Sequence, residues 1–388
     1  MIERDLSSRL LAVAATHPAV TLTGPRQGGK STLCRMVFPR HAYANLESPD
    51  VRNFATSDPR GFLAQFEQGA IIDEIQRAAE LTSYLQPIID ENPQPGRWIL
   101  TGSQSLTMMA SVSQSLAGRT TVLHLLPLNR GESRRFPAYP RSLDEALFTG
   151  GYPRILDQRL DPSDWLGSYV RTYVERDVRQ LSQIGDLAAF QRFVQLCAAR
   201  TGQLLNLSSL ALDAGIAQPT ARAWLSILEA TFLAYRLPPY FANIGKRLVK
   251  TPKLHFYDTG LVCWLLGIRD PKQLRLHPLR GAIFETWVVS EILKHRLARG
   301  EHAGVYYYRD RRGLEADVVI DEGSSLLVVE AKGTQTATAD LVRAGQPVAE
   351  LLARVAPTRR IVAYGGDQDQ ARTDVTVLGW DSLDQQGW

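Results

Sequence analysis

Two groups of residues in this chain have the types and spacing to act on phosphate. The first is the run Gly24-Pro25-Arg26-Gln27-Gly28-Gly29-Lys30-Ser31, a G-x-x-x-x-G-K-S pattern entered from the apolar, β-rich stretch 19–23 and followed by Thr32 and Leu33. Glycines at this spacing let successive backbone N–H groups turn inward, and a helix opening at Lys30 adds its positive N-terminal end. Lys30 then reaches the terminal phosphates, and Ser31 can ligate magnesium. The expectation is a site for ATP and Mg2+ built from residues 24–32. Further on, residues 69–74 read Gly-Ala-Ile-Ile-Asp-Glu, the way a buried parallel strand delivers carboxylates to the C-terminal edge of a sheet. Asp73 is expected to hold magnesium through water, and Glu74 to orient or deprotonate the attacking water.

The second group is Asp317, Glu330 and Lys332, a D-x12-E-x-K spacing whose acid-x-lysine pair ends an apolar run. Period-two alternation puts Glu330 and Lys332 on one face of a strand. Asp317 on a neighbouring strand can converge with them, and Glu285, from a helical stretch over 281–299, can supply a third carboxylate. Hard oxygen ligands of this kind suit Mg2+ or Mn2+, and Lys332 can position or activate water against a phosphodiester. Hairpin salt bridges produce the same spacing. Tyr306, Tyr307 and Tyr308 with Arg309, Arg311 and Arg312 just before it can stack on bases and pair with phosphates.

Two further residues keep two readings each. Ser103 ends the buried strand expected at 97–103 and either touches the γ-phosphate or its water, or belongs to a strand-ending turn. Arg119 follows Ser115-Leu-Ala-Gly and is either an arginine finger that neutralises charge on the γ-phosphate or a solvated surface residue.

The elements that must position these groups follow from periodicity. Helices are expected at 1–18, 30–38, 59–67 and 81–90, with strands at 41–47, 69–74, 97–103 and 120–126. Prolines and glycines cluster from 127 to 152, the exit from the first domain. A charged, aromatic helix over 161–184, with Trp165, Tyr169, Tyr173 and Val174 on its apolar side, reads as a packing lever. Over 186–240, helices at 190–199, 208–214 and 218–229, a Gly215-Ile216 turn and a β-leaning run 232–237 have helix-turn-helix spacing and suggest a winged helix; a plain helical bundle is the other reading. No acidic residue falls in 230–257, whereas Arg236, Lys246, Arg247, Lys250 and Lys253 do, as contacts to nucleic-acid phosphates would need. Strands at 253–258, 305–308, 315–320 and 325–332 complete the third region.

At 388 residues the chain exceeds a single core, and 44% hydrophobic content supports folding throughout. A formal charge of +4 permits a nucleic-acid partner without demanding one. Residues 1–20 lack a secretory signature and no run reaches membrane-spanning length, so a cytosolic protein with no membrane partner is expected. Cys34, Cys197 and Cys263 are scattered without zinc-type pairing and read as packing residues.

These motifs, in this order, resemble one family over almost the whole chain: bacterial and archaeal ATP-binding proteins that join an AAA+-type ATPase to a winged helix and a C-terminal region similar to PD-(D/E)XK nucleases. The resemblance rests on LTGPRQGGKSTL at 22–33, IIDEIQRAAEL at 71–81, LTGSQSL at 100–106, SLAGR at 115–119, LPPY at 237–240, YYRDRRGLEADVV at 307–319 and VVEAK at 328–332. One departure is Gly29, where relatives commonly carry a larger residue. The resemblance implies an α/β multidomain chain: a P-loop AAA+-type ATPase with a parallel sheet over 1–150, a helical linker and winged helix over 151–250, and a restriction-endonuclease-like domain over 251–388. It also implies a sensor role for Ser103, a finger role for Arg119, and nuclease-like roles for Asp317, Glu330 and Lys332. The function expected is an ATP-hydrolysing protein acting on DNA through an ATP-regulated, metal-dependent nuclease site. The alternative is an ATP-gated DNA- or protein-binding module that does not cleave. A homo-oligomer is expected if Arg119 works across an interface. A small-molecule kinase is the weaker reading, since nothing in the sequence looks like an acceptor pocket.

Overall fold

The computed structural model describes residues 2–103, 115–174, 186–240, 250–301 and 304–388. Its contacts divide the chain into two compact units. One comprises Met1–Pro127 with Ala230–Phe232 and Arg296–Gly300; the other comprises Leu128–Glu229, Leu233–His295 and Glu301–Trp388.

The first unit is a five-stranded parallel sheet in the order β2-β3-β4-β1-β5, where β1 is Ala19–Thr23, β2 Ala42–Asn45, β3 Ala70–Asp73, β4 Trp98–Gly102 and β5 Thr120–His124. Strands β1, β3 and β4 are buried along their whole length, so both faces must be apolar. Alternate residues serve the two faces. Val20, Leu22, Ile71 and Ile99 pack with Leu6, just before helix α1 (Ser7–Ala14), with Leu10 of α1, and with Leu33 and Cys34 of α2 (Lys30–Val37). Ala70, Ile72, Trp98 and Leu100 pack with residues of α4 (Pro59–Ala64) and α5 (Leu81–Glu91), including Phe62, Leu81 and Leu85. Helix α3 (Pro49–Ser57), opened by a proline, occupies a stretch for which the sequence analysis proposed no element.

In the second unit, α6 (Leu187–Ala199), β6 (Gln203–Leu204), α7 (Leu207–Ala214), α8 (Gln218–Ala230), β7 (Ala234–Leu237) and β8 (Lys253–Phe256) follow one another. Asn206 caps α7 by accepting the Ser209 N–H at 3.0 Å, and Gly215, at φ 71°, ends the helix in the left-handed conformation that a side chain would oppose. Strand β8 lies between β6 and β7, antiparallel to both. Past two short helices, Thr259–Leu265 and Pro271–Leu276, come α9 (Arg280–Ala298), an antiparallel meander of β9 (Val305–Arg309), β10 (Glu315–Asp321) and β11 (Leu326–Lys332), helices α10 (Ala339–Arg343) and α11 (Gln346–Leu352), and β12 (Thr358–Tyr364), parallel to β11. Strands β13 (Gln370–Ala371) and β14 (Thr376–Gly379) extend the sheet beyond β12.

One core runs through this unit from Leu143 to Trp388, and takes in Phe190, Phe193, Trp224, Phe256, Phe284, Trp287, Val318 and Val329. The segments expected as separate second and third domains therefore share buried side chains, and the structural break falls at 127/128. Within the expected lever, Trp165 stacks on Tyr169 with ring centroids 5.2 Å apart and both pack on Tyr152, while residues 175–184 lie outside the described residues. The three cysteines are buried and burial pushes their thiols up, as packing residues require. Among the described residues no helix is long and apolar enough to cross a membrane.

His255 on β8 is fully buried with Thr286 Oγ1 3.1 Å from its Nδ1, and burial followed by the charge of Lys253 lowers it to about 3. Its imidazole is neutral when folded, whereas the unfolded chain takes up a proton below about 6.5. Its contribution is thus complete above pH 6.5 and withdrawn as pH falls toward 3. Comparing wild type with His255→Gln by urea denaturation, the stability difference should shift against wild type by about 1.4 kcal/mol per pH unit below pH 6.

Candidate active site

The chemistry of the first unit is set at the C-terminal edge of its sheet. Strand β1 lies between β4 and β5 and is paired on both sides, so the chain leaving Thr23 is aimed by two neighbours. Gly24 follows at φ 153°, and a Cβ there would collide with the Leu125 carbonyl. Gly29, at φ 94°, caps α2 in the left-handed region. The loop 24–29 therefore closes over the N-terminus of α2, as a phosphate cradle requires. Lys30 folds back into it: its ammonium donates to the carbonyls of Gly24 at 2.9 Å and Pro25 at 2.8 Å, and only 4% of the residue is exposed. Burial outweighs the charges of Glu74 and Asp73 and lowers the lysine. A buried ammonium held by two neutral carbonyls is short of negative charge. A polyphosphate would supply it.

Asp73, the last residue of β3, collects three hydroxyls. Ser31 donates to Oδ2 at 2.7 Å, Tyr43 donates to the same oxygen at 2.5 Å, and Thr101 donates to Oδ1. Ser31 and Asp73 thus already face each other as hard oxygen donors, the pair that a magnesium ion beside bound phosphates would need. Glu74 adopts φ 59°, ψ 47°, a left-handed conformation that costs a non-glycine residue and turns its carboxylate out of the strand. Ser103 donates to Glu74 Oε2 at 2.9 Å, Gln76 donates to the same oxygen and to Ser103 Oγ at 3.2 Å, and the Glu74 N–H meets Thr101 Oγ1 at 3.3 Å. Tyr43, Gln76 and Thr101 were missed in the sequence analysis. Thr101 and Gln76 lie beside singled-out residues, whereas Tyr43 reaches Asp73 only because β2 pairs with β3. Arg26, also in the loop, pairs with Glu47 at 3.2 Å.

Arg119 stands elsewhere. It directly precedes β5, and its carbonyl accepts the Ala19 N–H at the start of β1. The parallel register Ala19↔Thr120 to Thr23↔His124 therefore puts it at the N-terminal edge of the sheet, a strand length, about 13 Å, from the loop that leaves Thr23. There it forms a bidentate pair with Asp90, at 2.5 and 2.8 Å. The expected finger cannot reach the phosphate loop of its own chain. Residues 104–106 of the LTGSQSL motif lie outside the described residues.

In the second unit, β10 and β11 pair with Val318 opposite Val329, so Asp317 and Glu330 come together as expected. Asp317 Oδ2 accepts the Ala331 N–H at 2.9 Å, and Lys332 lies 3.1 Å from Glu330 Oε2. The β9–β10 register shifts between Ala316 and Val319, around Asp317, a bulge of the kind that re-aims a side chain. The centre of the cluster was not foreseen. Lys253, only 3% exposed, places its ammonium 2.8 Å from Glu285 Oε1, 2.6 Å from Glu315 Oε1 and 3.7 Å from Asp317 Oδ1. Glu315 also pairs with Arg309 at 3.0 Å. Burial and then the Asp317 charge push Glu285 and Glu330 up to about 8. Burial pulls Lys253 down, but Glu285, Asp317 and Glu315 outweigh it and the lysine is raised.

Of the residues expected to ligate Mg2+ or Mn2+ here, Glu285 and Asp317 thus face Lys253 and Glu330 pairs with Lys332, and they do not fit a metal as they stand. Among the described residues no group of three His, Cys, Asp or Glu side chains is arranged to hold one. The expected basic surface changes too. Lys253 is internal, Arg236 is clamped on Glu229 at 2.6 and 2.8 Å, and Lys246 and Arg247 lie outside the described residues, leaving Lys250 exposed.

A glycine loop on an internal parallel strand, followed by a helix and faced by paired acids at the end of β3, has the arrangement of a P-loop nucleotide site, and residues 16–133 match the AAA domain family. Residues 140–272 and 280–383 match two domains of unknown function, DUF8612 and DUF4143. The uncharacterized proteins Rv2008c of Mycobacterium tuberculosis (strain H37Rv) and Mb2031c of Mycobacterium bovis are each 32% identical over 377 residues, which span 96% of this chain and 82% of theirs. An uncharacterized protein of Methanocaldococcus jannaschii is 20% identical over 351 residues, 82% of this chain and 75% of its own. The chain belongs to the family of these mycobacterial proteins. Among solved structures, the Walker-type ATPase PABY2304 of Pyrococcus abyssi aligns over 68% of this chain and 96% of its own with 14% identity and a TM-score of 0.44. AMPPCP-bound DnaA from Aquifex aeolicus aligns over 58% and 85% with 14% identity and a TM-score of 0.29. Both scores are low.

The hydrogen bonds on Glu74 generate one prediction. Glu74→Gln keeps the side-chain shape and removes the base, so ATP binding, read with a fluorescent analogue, should persist while phosphate release falls about 100-fold or more.

Proposed function

We propose that this protein hydrolyses ATP at residues 24–32 with Asp73 and Glu74, and that hydrolysis drives a change in how the second unit engages a nucleic-acid partner. The observation that carries the reading is the preassembled constellation at one sheet edge: a buried, charge-deficient Lys30, the Ser31–Asp73 pair, and Glu74 fixed by Ser103 and Gln76. Lys30 would leave the Gly24 and Pro25 carbonyls for phosphate oxygens. Ser31 and Asp73 would hold Mg2+, which supplies charge neutralisation across the phosphates when bound. Glu74 takes a proton from the attacking water, with Ser103 and Gln76 fixing the carboxylate that receives it. Arg119, at the far edge of its own sheet, is assigned to the γ-phosphate of a second copy, which makes the protein a homo-oligomer when active.

For the second unit, the order helix–strand–helix–turn–helix–strand–strand from α6 to β8 supports a winged-helix reading, and Gln218, Pro219 and Arg222 on α8 are exposed to a partner. DNA is the partner favoured. The α9–β9–β10–β11–helix–β12 order, with Asp317, Glu330 and Lys332 on adjacent strands, favours a second reading in which the C-terminal region cleaves DNA as PD-(D/E)XK nucleases do. Lys253 stands against it, and we favour an ATP-gated binding module.

Lys30→Ala should abolish ATP hydrolysis, measured as phosphate release, without changing the far-UV circular dichroism. Arg119→Ala should lower the rate about 10³-fold with ATP affinity retained, and wild-type activity per chain should fall on dilution. Activity that is independent of concentration and unaffected by Arg119→Ala refutes the shared site. Incubation of linear, single-stranded and branched DNA with Mg2+ or Mn2+, with and without ATP, should give no cleavage. Cleavage that disappears in a Glu330→Ala, Lys332→Ala double variant establishes the nuclease reading instead.

A further inference from the structure

The acid cluster of the second unit is built around an amine. Lys253 comes from β8, the middle strand of the small sheet, and its ammonium is surrounded by Glu285 of α9, Glu315 and Asp317 of β10, and the ring of Tyr307, whose centroid is 5.6 Å away. Residues 253 and 315 are on different sheets, so this meeting requires the two sheets to pack with their charged positions in register. We propose that Lys253 is the resident cation of this cluster: it occupies the position among Glu285, Glu315 and Asp317 that a divalent metal would take, and so keeps the site metal-free while fastening β8 to α9 and β10.

The proposal rests on three features. Two of the lysine's contacts are at full ion-pair distance and the third is at 3.7 Å, so the amine is shared among carboxylates from two elements and not bound to one. The lysine's side chain is 3% exposed, so it cannot swing into solvent without opening the packing around it. The remaining acid, Glu330, is engaged by a second amine, Lys332 at 3.1 Å. Every carboxylate that a metal would recruit therefore already has a cationic partner within the chain. A metal entering the cluster would have to displace a buried ammonium and leave it unpaired, which is strongly unfavourable. This reading does not depend on ATP hydrolysis at the first unit, and either can fail alone.

The test is a Mn2+ titration of the nucleotide-free full-length protein, followed by water-proton relaxation and calorimetry. Lys253→Met keeps the length of the side chain and removes its charge. It should gain one Mn2+ site per chain, at least about tenfold tighter than any Mn2+ binding by wild type, and a Lys253→Met, Asp317→Asn double variant should lose it. A folded Lys253→Met protein that gains no site overturns the proposal. If Lys253→Met does not fold, wild type against Asp317→Asn decides, because Mn2+ held weakly by Ser31 and Asp73 cancels in the comparison. Identical titrations support the resident lysine, and loss of a bound Mn2+ on Asp317→Asn shows that the metal reaches the cluster despite it and refutes the proposal.

Discussion

A buried ammonium must be paired, and the way this protein pairs two of them determines what each site can do. Lys30 and Lys253 are almost equally hidden from water, at 4% and 2% exposure. Lys30 has two neutral carbonyls for company and is lowered by desolvation. Lys253 has three carboxylates, which overcome the same desolvation and raise it. Desolvation costs each cation several kcal/mol, so the first is left wanting an anion and the second is already satisfied. One lysine marks a site prepared for a polyphosphate, the other a site closed to further cations. The same residue type, buried to the same degree, thus reads in opposite directions according to the charge placed around it.

Much of the first unit was legible because local rules and the global fold agree there. Gly24 and Gly29 of the loop sit at positive φ where a side chain would strain the turn, the apolar residues of β1, β3 and β4 alternate between two faces, and the acids fall at the end of β3. Spacing along the chain was enough because each of these features is set within a few residues. Tyr43 was not legible, since its bond to Asp73 depends on β2 lying beside β3, a pairing between distant segments. The strands β12 and β14 were not expected either; β12 pairs with β11 and β14 with β12.

Lys253 shows the limit more sharply. In the sequence it belongs to a stretch without acids, and one-signed stretches suggest a surface for phosphates. Its neighbours in space, however, come from positions 285, 315 and 317, so the absence of acids nearby in sequence says nothing about acids nearby in the fold. Arg236 fails in the same way, through Glu229 at the end of the preceding helix. For Asp317 and Glu330 the inference went the other way: alternation and the hairpin brought them together as the spacing implied. What spacing could not supply was the counter-charge, and the counter-charge decides whether clustered acids bind a metal or are neutralised from within.

Sheet polarity adds a last constraint. In a parallel sheet every strand begins at one edge and ends at the other, so residues that precede a strand and residues that follow one cannot share a site within a chain. The phosphate loop follows β1, and Asp73, Glu74 and Ser103 lie at the ends of β3 and β4, so all of them gather at one edge. Arg119 precedes β5 and is consigned to the other, where Asp90 pairs with it. That pair lies toward the surface, where solvent and salt screen it. Arg119 is thereby anchored to its own fold by a contact that water can reach. The polarity that makes the loop possible is thus also what takes this arginine away from it.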